Sequence, residues 1–183
     1  FLGIYKKRIA LPFSCLVRAN LVTDEIAKML AGAGCRIAHF GVESGDQKLR
    51  NDVLNKNISD EQIINASRAL KENGIRTGTF NMMNLPGETL AAAWKTVALN
   101  IRIKTDYPWC SLVQPYPGTK IERIAREKGL LPEGLTADDL PVSFFRNSPI
   151  GNPDRRALER LQKLFYAAVK APWLNPLWKA LLR

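Results

Sequence analysis

The sequence predicts an α/β fold, namely a partial TIM-like (β/α) barrel of parallel strands with a helical extension at its carboxyl end. Three observations lead to this prediction. Four short apolar stretches have the composition of strands, stretches of helical periodicity follow each of them, and polar residues stand where each strand ends. Such alternation favours a parallel sheet with right-handed crossovers. Because an open four-stranded sheet would expose two edges, we expect part of a barrel.

The predicted strands cover residues 13–17, 36–42, 77–83 and 109–113. We expect helices after each strand, because residues that cap free N–H groups open the periodic stretches and glycines close them. The capping residues are Thr23, Ser59, Thr89 and Thr119. Ser59 also forms the pattern of a capping box with Gln62, three positions later.

The third strand is the stretch around which the chain is organised. Residues 77–83 carry no charge, which predicts a strand buried on both faces. Pro86 cannot continue a central strand, and Gly87 tolerates backbone angles that other residues avoid, so we expect a turn there. In parallel α/β folds, ligands bind at this end of the strands.

The chain divides into a barrel portion, residues 1–131, and a second portion, residues 132–183. The second portion begins with a connection that holds several prolines and is expected to be irregular. A last helix is predicted to begin at Asn152, with Pro153 in its first turn. Its apolar stripe comprises Leu158, Leu161, Phe165, Ala168 and Val169.

Composition and charge exclude several classes of protein. The 183 residues are 46% hydrophobic and contain no apolar run of 18, so we expect a globular chain without a membrane span. The net charge of +10 lies mostly in the two ends of the chain. A nucleic-acid groove would draw charge from the body of the fold, so nucleic acid is not the expected partner. The chain begins with Phe1 rather than Met, which indicates a piece of a longer polypeptide.

The three cysteines do not form a recognisable metal motif. Cys15, Cys35 and Cys110 are far apart in sequence, and no CxxC or CxxxC spacing occurs. An odd number of cysteines without a disulfide framework indicates a reducing compartment, and we expect a cytoplasmic protein.

Each predicted strand ends in residues of unusual chemistry. The four groups are Arg18 with Asn20, Glu43-Ser44-Gly45, residues 84–87, and residues 114–116. Parallel strands place these groups along one rim. There a carboxylate could accept hydrogen bonds from a ligand amine or hydroxyl, and an arginine could pair with a carboxylate. Each group also has an ordinary explanation, such as a helix-capping acid, a solvated charge or a loop amide.

Three motifs carry a resemblance to a known family. The stretches CRIAHFGVESG, NLPGET and QPYPGT, in this order, are similar to the later strands of radical S-adenosylmethionine (SAM) enzymes. With VRAN before them and Asn55-Lys56 after the first, they most resemble the branch that carries a cobalamin-binding domain. The resemblance covers residues 11–131.

The resemblance implies that SAM lies across the strand ends. Glu43 would contact its ribose or amino group, and Arg18 would lie near its methionine carboxylate. The turn at 84–87 and the segment 114–116 would border the adenosine and the substrate. The candidate cofactor-binding residues are Arg18, Glu43, Ser44, Lys56, Asn84, Pro86, Gly87, Gln114 and Tyr116. The resemblance identifies no catalytic residue.

Two departures from the family pattern matter. Asn84 stands where the family often has glycine, and the CxxxCxxC loop that binds a [4Fe-4S] cluster is absent. The resemblance therefore implies the carboxyl-terminal portion of an enzyme whose cluster ligands, and any cobalamin, belong to an upstream portion. Such an enzyme generates a 5′-deoxyadenosyl radical or transfers methyl groups to a small-molecule substrate. This chain alone is not expected to be active.

Three other interpretations remain. A non-catalytic half-barrel would bind a nucleotide-like ligand or a partner, and an RNA-modifying radical SAM enzyme would use the basic chain ends. A phosphate-binding barrel is disfavoured by the lack of a glycine-rich phosphate loop. The tail, residues 170–183, is expected to pack on the barrel rather than on a membrane, because Pro172 and Pro176 leave it a short helix.

Overall fold

The structure is a computed structural model, and it describes residues 1–182. In chain order the elements are α1 (Leu2–Arg8), β1 (Phe13–Leu16), α2 (Asp24–Gly32), β2 (Cys35–Glu43), α3 (Gln47–Leu54), α4 (Asp60–Glu72), β3 (Arg76–Met83), α5 (Leu90–Arg102), β4 (Tyr107–Leu112), α6 (Lys120–Glu127), α7 (Arg155–Lys170) and α8 (Asn175–Leu181). Each predicted strand begins and ends within two residues of the observed one.

The four strands form one parallel sheet in the order β1-β2-β3-β4. This arrangement confirms the predicted α/β fold with a partial parallel barrel. Because every strand lies beside the next one in the chain, right-handed crossovers place the connecting helices on one side of the sheet. We call that side the helix face and the opposite side the open face. Leu16, Phe80 and Trp109 lie on the open face and are partly exposed.

Apolar residues of β1 and β2 form the first part of the core on the helix face. Ala38, Phe40 and Val42 alternate along β2 and are buried with Ile63 and Leu70 of α4. Full burial of one large apolar side chain stabilises the fold by about 1.5–3 kcal/mol. This cluster therefore fixes β2 firmly, and with it the residues at its carboxyl end.

The predicted stripe of α7 forms the second part of the core. Its Leu158, Leu161 and Phe165 are buried together with Cys110 and Leu112 of β4. The prediction of a sustained apolar stripe on this helix is confirmed. The helical extension thus shares one buried cluster with the sheet.

The sequence predicted that the third strand is buried on both faces, but in the structure its open face is partly accessible. Its helix face is polar: Thr79 Oγ1 donates to Asn100 Oδ1 (2.6 Å), and Asn100 Nδ2 donates to Asn81 Oδ1 (2.7 Å). Buried polar groups are tolerated when they are paired in this way. On the open face, Phe80 remains 38% exposed. The absence of charged residues therefore did not show that both faces are buried. One face is buried but largely polar, and the other is partly accessible.

The irregular connection before α7 covers the free edge of β4. The backbone N–H of Leu112 donates to the carbonyl of Phe144 (2.7 Å), and Ser148 Oγ donates to the carbonyl of Val113 (2.6 Å). Unpaired strand edges invite association with other chains. Residues 144–148 satisfy part of this edge without forming a regular strand.

Helix α7 begins later than predicted. Asn152 does not cap it, because the Asn152 amide donates to Asn84 Oδ1 (2.8 Å) and to the Leu85 carbonyl (2.7 Å). The Asp154 carboxylate accepts from the backbone N–H of Leu90 (2.7 Å), at the start of α5. The helix begins at Arg155. The residues that looked like its own cap instead hold the turn after β3.

The tail packs against the fold through part of its surface. Leu182 is buried, Trp178 packs against the α7 cluster, and the Lys179 ammonium lies 5.2 Å from the centre of the Trp94 ring. These contacts agree with the predicted docking, while Trp173 stays largely exposed. None of the helices in residues 1–182 has the length and apolar character needed to cross a membrane.

Candidate functional site

An ion pair stands at the carboxyl end of β2. The Lys56 ammonium lies 2.6 Å from Glu43 Oε1, and the two side chains are only 22% and 17% exposed. Both residues were predicted at the rim, and the structure brings them into contact. A partly buried carboxylate held by a single lysine keeps acceptor positions for other donors.

The backbone around Glu43 is specialised for this position. Glu43 has φ of +62°, and the β2–β3 register is irregular between Gly41 and Glu43. A left-handed conformation in a residue other than glycine costs on the order of 1–3 kcal/mol and is concentrated at functional sites. It turns the Glu43 side chain toward Lys56 instead of continuing the strand.

Gly41 lies directly beneath this ion pair. A Cβ atom at Gly41 would approach Glu43 Oε1 to 2.0 Å and Lys56 Nζ to 2.3 Å. The absence of a side chain at Gly41 is therefore what allows the pair to lie on the open face. Sequence reasoning did not single out Gly41, although a glycine two positions before a strand-end acid was a visible signal.

A fully buried arginine holds the loop that carries Lys56. Arg50 Nη1 donates to the Ser44 carbonyl (2.7 Å), while its Nε and Nη2 donate to the Ile58 carbonyl (3.1 and 2.7 Å). Nη2 also donates to Asp60 Oδ1 (2.8 Å). Arg50 thereby ties the end of β2 to the 55–58 loop. It is a second residue that the sequence reasoning missed.

Ser44 supports the site rather than facing a ligand. It is fully buried, and its hydroxyl accepts from the backbone N–H of Asp46 (3.2 Å). The following Gly45 lies against α5: its N–H donates to Thr96 Oγ1 (2.8 Å), and a Cβ there would meet the Lys95 carbonyl oxygen at 2.2 Å. The predicted candidate Ser44 therefore shapes the turn after β2.

The turn after β3 is built around a second glutamate. Glu88 Oε2 accepts from the backbone N–H groups of Asn84 (2.6 Å) and Leu85 (3.1 Å). Asn84 has φ of +69°, in the left-handed region that asparagine tolerates better than most residues. This tolerance explains how Asn84 can stand where the family often has glycine.

Glu88 is buried, and it forms no ion pair with any lysine or arginine among residues 1–182. Its Oε1 atom has no hydrogen-bond partner among residues 1–182. Burial raises the pKa of Glu88 to about 8, although the two backbone N–H groups on Oε2 act in the opposite direction. The proton is expected on Oε1, because Oε2 already accepts two hydrogen bonds.

Two predicted residues of this turn, Asn84 and Pro86, also face the protein, whereas Gly87 is exposed. The Asn84 amide donates to the Ile150 carbonyl (2.9 Å), and its side chain is fully buried. Pro86 is buried, and the Gly87 N–H donates to Asn152 Oδ1 (2.8 Å). The sequence predicted that the strand-end groups share one rim, but the Asn84 side chain is turned into the protein. Its amide is committed to the segment before α7.

Gln114 and Tyr116 lie together beside a cavity at the end of β4. The Gln114 Nε2 donates to the Asn147 carbonyl (2.8 Å), and the Tyr116 side chain is about half exposed. The cavity has a volume of about 420 Å³ and opens on the open face. We call it the aromatic pocket; its lining includes Met82, Trp109, Gln114, Tyr116, Ile121 and Phe145.

The remaining predicted residue, Arg18, is exposed just after β1. Between it and β3, the chain's single histidine lies flat on the sheet: the His39 ring stacks on Phe80 with centroids 5.7 Å apart. A Cβ at Gly78 would meet His39 Nδ1 at 2.1 Å. His39 therefore lies on the open face, as the Glu43–Lys56 pair does.

The comparisons with known proteins agree with this geometry. The family model of the radical SAM superfamily matches residues 3–99, a segment that contains Glu43, Lys56 and Glu88. The chain belongs to the radical SAM superfamily. A curated relative, an uncharacterized methyltransferase of Pyrococcus horikoshii, is 27% identical over 131 residues. That match covers 71% of this chain and 28% of the relative, so the chain spans little more than a quarter of that protein.

Solved structures share the fold. Coproporphyrinogen III oxidase from Escherichia coli, described as a radical SAM enzyme, has a TM-score of 0.64 at 16% identity over 92% of this chain and 35% of its own. A radical SAM methyltransferase from Kitasatospora setae, with cobalamin and a [4Fe-4S] cluster bound, has a TM-score of 0.59 at 21% identity over 80% of this chain and 29% of its own.

The cysteines of this radical SAM chain do not fit a [4Fe-4S] cluster. Cys15 Sγ and Cys35 Sγ are 3.6 Å apart, in the part of the core that β1 and β2 form. Cys110 is buried elsewhere, among the apolar side chains between β4 and α7. Burial, with Cys15 beside it, raises the pKa of Cys35 to about 12, whereas a cluster needs thiolates. No group of three potential metal ligands occurs in the part of the chain that the structure describes.

Proposed function

We propose that this chain is the SAM-binding, carboxyl-terminal portion of a radical SAM enzyme that acts on a small molecule. The observation that carries the proposal is the partly buried Glu43–Lys56 pair above Gly41, at the rim of a parallel sheet that belongs to this superfamily. The cluster ligands, and cobalamin where it is used, would belong to an upstream portion of the polypeptide.

The residues at the end of β2 fit the polar groups of SAM. The Glu43 carboxylate would accept hydrogen bonds from the ribose hydroxyls or the amino group, and Lys56 would hold it in place. Arg18, exposed at the end of the neighbouring strand, would pair with the methionine carboxylate. Bound SAM supplies the radical or methyl-transfer chemistry.

The other candidates would act indirectly or on the substrate side. Ser44, Asn84 and Pro86 would support the rim from inside the protein, because they are buried. Gly87 would do so through its backbone N–H, which is bonded to Asn152. Gln114 and Tyr116 would border the substrate on the side next to the adenosine, because both line the aromatic pocket.

Methyl transfer is the reaction that we favour within the superfamily. The Pyrococcus relative is named a methyltransferase, and the Kitasatospora methyltransferase, which shares the fold, binds cobalamin. The first name supports methyl transfer, and the second also supports a cobalamin-dependent branch. A cytoplasmic location and the absence of a nucleic-acid partner remain predictions from the sequence.

SAM affinity in the full-length enzyme tests the proposal. Glu43→Gln removes the charge but keeps the shape, and we expect it to weaken SAM binding about 10- to 150-fold, the loss of one charge-assisted hydrogen bond. Glu72→Gln, in an exposed pair with Arg68 on α4, is the matched control and should leave the affinity unchanged. Calorimetric titration measures the SAM affinity of the two variants and of the parent enzyme. Equal SAM affinity in the Glu43→Gln variant and the parent would remove Glu43 from the site.

A non-catalytic half-barrel is the second candidate, because the described cysteines fit no cluster. The upstream part of the reading frame distinguishes the two. A CxxxCxxC motif there supports the enzyme, whereas a complete upstream sequence without it supports the binding module.

A further inference from the structure

The aromatic pocket lies apart from the ion pair on the same open face. Its position is set by β4 on one side and by the 141–148 segment on the other, which hydrogen-bonds to the strand edge. Glu43 pairs in register with Asn81 of β3, and Asn81 pairs with Cys110 of β4. Two strand spacings, about 10 Å, therefore separate the Glu43–Lys56 pair from the aromatic pocket.

The lining of the pocket suits a flat ring. Trp109 and Phe145 meet edge to face, with centroids 5.3 Å apart and planes at 81°, so each ring leaves part of its surface open to the cavity. Tyr116, Met82 and Ile121 complete a mostly apolar wall. A cavity of about 420 Å³ lies in the range of small-molecule sites. Aromatic side chains bind planar rings by stacked and edge-to-face contacts.

One polar atom in this wall lacks a partner. The Gln114 amide is oriented by its Nε2, which donates to the Asn147 carbonyl (2.8 Å). Its Oε1 is consequently left buried with no donor within residues 1–182. Gln162, on the helix side of β4, has the same unpartnered Oε1, but it does not line this cavity. Only at Gln114, therefore, can a small molecule that enters the pocket supply the missing donor.

We propose that the aromatic pocket binds the substrate through a planar, largely apolar ring that carries an N–H donor, the donor meeting Gln114 Oε1. This inference rests on the proposed function, which places the nucleoside of SAM at the end of β2. The spacing of the two places lets one substrate ring and one cofactor occupy the open face side by side. The pocket thus determines the substrate class: aromatic rings with a ring nitrogen that donates a hydrogen bond.

A pair of probes tests the donor directly. Indole and 1-methylindole have nearly the same shape, but only indole carries a ring N–H. We titrate each into the 183-residue chain and follow the ring N–H signal of Trp109 and the amide signals of Gln114 by NMR. We expect both probes to shift these signals, with indole binding about 3- to 10-fold more tightly, the value of one neutral hydrogen bond.

Two matched variants locate the effect. Gln114→Met keeps the volume but removes the acceptor, and it should make the two probes bind equally. Gln162→Met removes the same kind of atom from the helix side, and it should keep the preference for indole. Circular dichroism confirms that each variant is folded, and the comparison of the two probes on the parent chain needs no variant at all.

Three results would overturn the proposal. Equal affinity of the two probes for the parent chain would remove the donor contact, and shifts confined to the exposed Trp173 would remove the pocket. Displacement of indole by saturating adenosine would assign the pocket to the nucleoside. A preference for indole in a protein whose SAM affinity is unchanged by Glu43→Gln would uphold the pocket while rejecting the proposed role of Glu43.

Discussion

Two glutamates at adjacent strand ends show how differently one rim can use the same side chain. Glu43 is the last residue of β2, is partly exposed and pairs with Lys56 at 2.6 Å. Glu88 follows β3 and is buried, and within residues 1–182 it accepts only from the backbone N–H groups of the turn that it closes. Glu43 itself has a positive φ, and Glu88 directly follows Gly87, whose φ is also positive. The difference lies in the partner: a cation on the open face for Glu43, and N–H groups inside the protein for Glu88.

The comparison teaches which acid can take part in binding. A carboxylate that pairs with a single, partly exposed lysine on the open face can also accept hydrogen bonds from the donors of a ligand. A buried carboxyl that holds two backbone N–H groups cannot do so without losing the turn. Glu88 is therefore a positioning residue for the rim, whereas Glu43 is the candidate for contact with SAM.

The largest expected effect is the pH dependence of stability that Glu88 confers. Its pKa is about 8 in the folded chain, against an ordinary value of 4.5. Between these values the unfolded chain is ionised while the folded chain keeps the proton, so stability falls as pH rises from 4.5 to 8. At about 1.4 kcal/mol per pKa unit, the total decline is roughly 3–5 kcal/mol.

Glu88→Gln should remove this decline, because the amide cannot ionise. Urea unfolding at intervals between pH 4.5 and 8.5 gives the free energy of unfolding of both proteins. We expect the two curves to converge or cross as pH falls, with the steeper slope in the parent. Parallel curves would show that Glu88 ionises normally in the folded chain, and the contrast with Glu43 would be lost.

The next effect tests whether Asn84 supports the turn. Asn84→Ala loses buried hydrogen bonds to residues 150 and 152 and places alanine at positive φ, at a cost of about 2–4 kcal/mol. Asn84→Gly loses the same bonds but accepts the backbone angle, so it should cost about 1 kcal/mol less. Equal losses in thermal or urea unfolding would mean that the backbone angle carries no strain.

A third, smaller effect should appear in SAM affinity rather than in stability. Gly41→Ala places a methyl group where Glu43 Oε1 and Lys56 Nζ meet. Both atoms end flexible side chains, so the fold can yield, and we expect a stability change of about 1 kcal/mol or less. The displaced pair should bind SAM about 10-fold more weakly in the full-length enzyme. Gly32→Ala, at a position with open space around it, is the control. An unchanged SAM affinity for Gly41→Ala would contradict the site.

The same contrast shows what the sequence could and could not predict. Strand alternation and caps predicted the parallel sheet, because these patterns depend on local periodicity. They also placed Glu43 and Gln114 at the rim. They did not show that Asn84 faces inward, because that depends on Asn152, which is 68 residues away and looked like a helix cap. Long-range partners of this kind leave no local pattern.

Residues without an evident chemical role were missed for the same reason. Gly41 is important because of what lies above it, and Arg50 because of two carbonyls that only the folded loop brings together. The aromatic pocket needs Trp109 and Phe145, which come from a strand and from an irregular segment far along the chain. Alternation along β4 could have indicated Trp109 alone.

The smallest expected effect concerns the ion pair itself. Lys56→Met keeps the side-chain stem and removes the charge, and because the pair is only partly buried we expect a loss of about 0.5–1 kcal/mol in the free energy of unfolding. Lys48→Met is the matched control, since Lys48 forms an ion pair with Asp52 but is far more exposed, and no measurable change is expected there. Urea unfolding at low and high salt measures both, and the Lys56→Met difference should shrink less with salt than a surface pair would. A loss as large as that of Asn84→Ala would mean that Lys56 is needed to fold the rim, and Glu43 would then be as structural as Glu88.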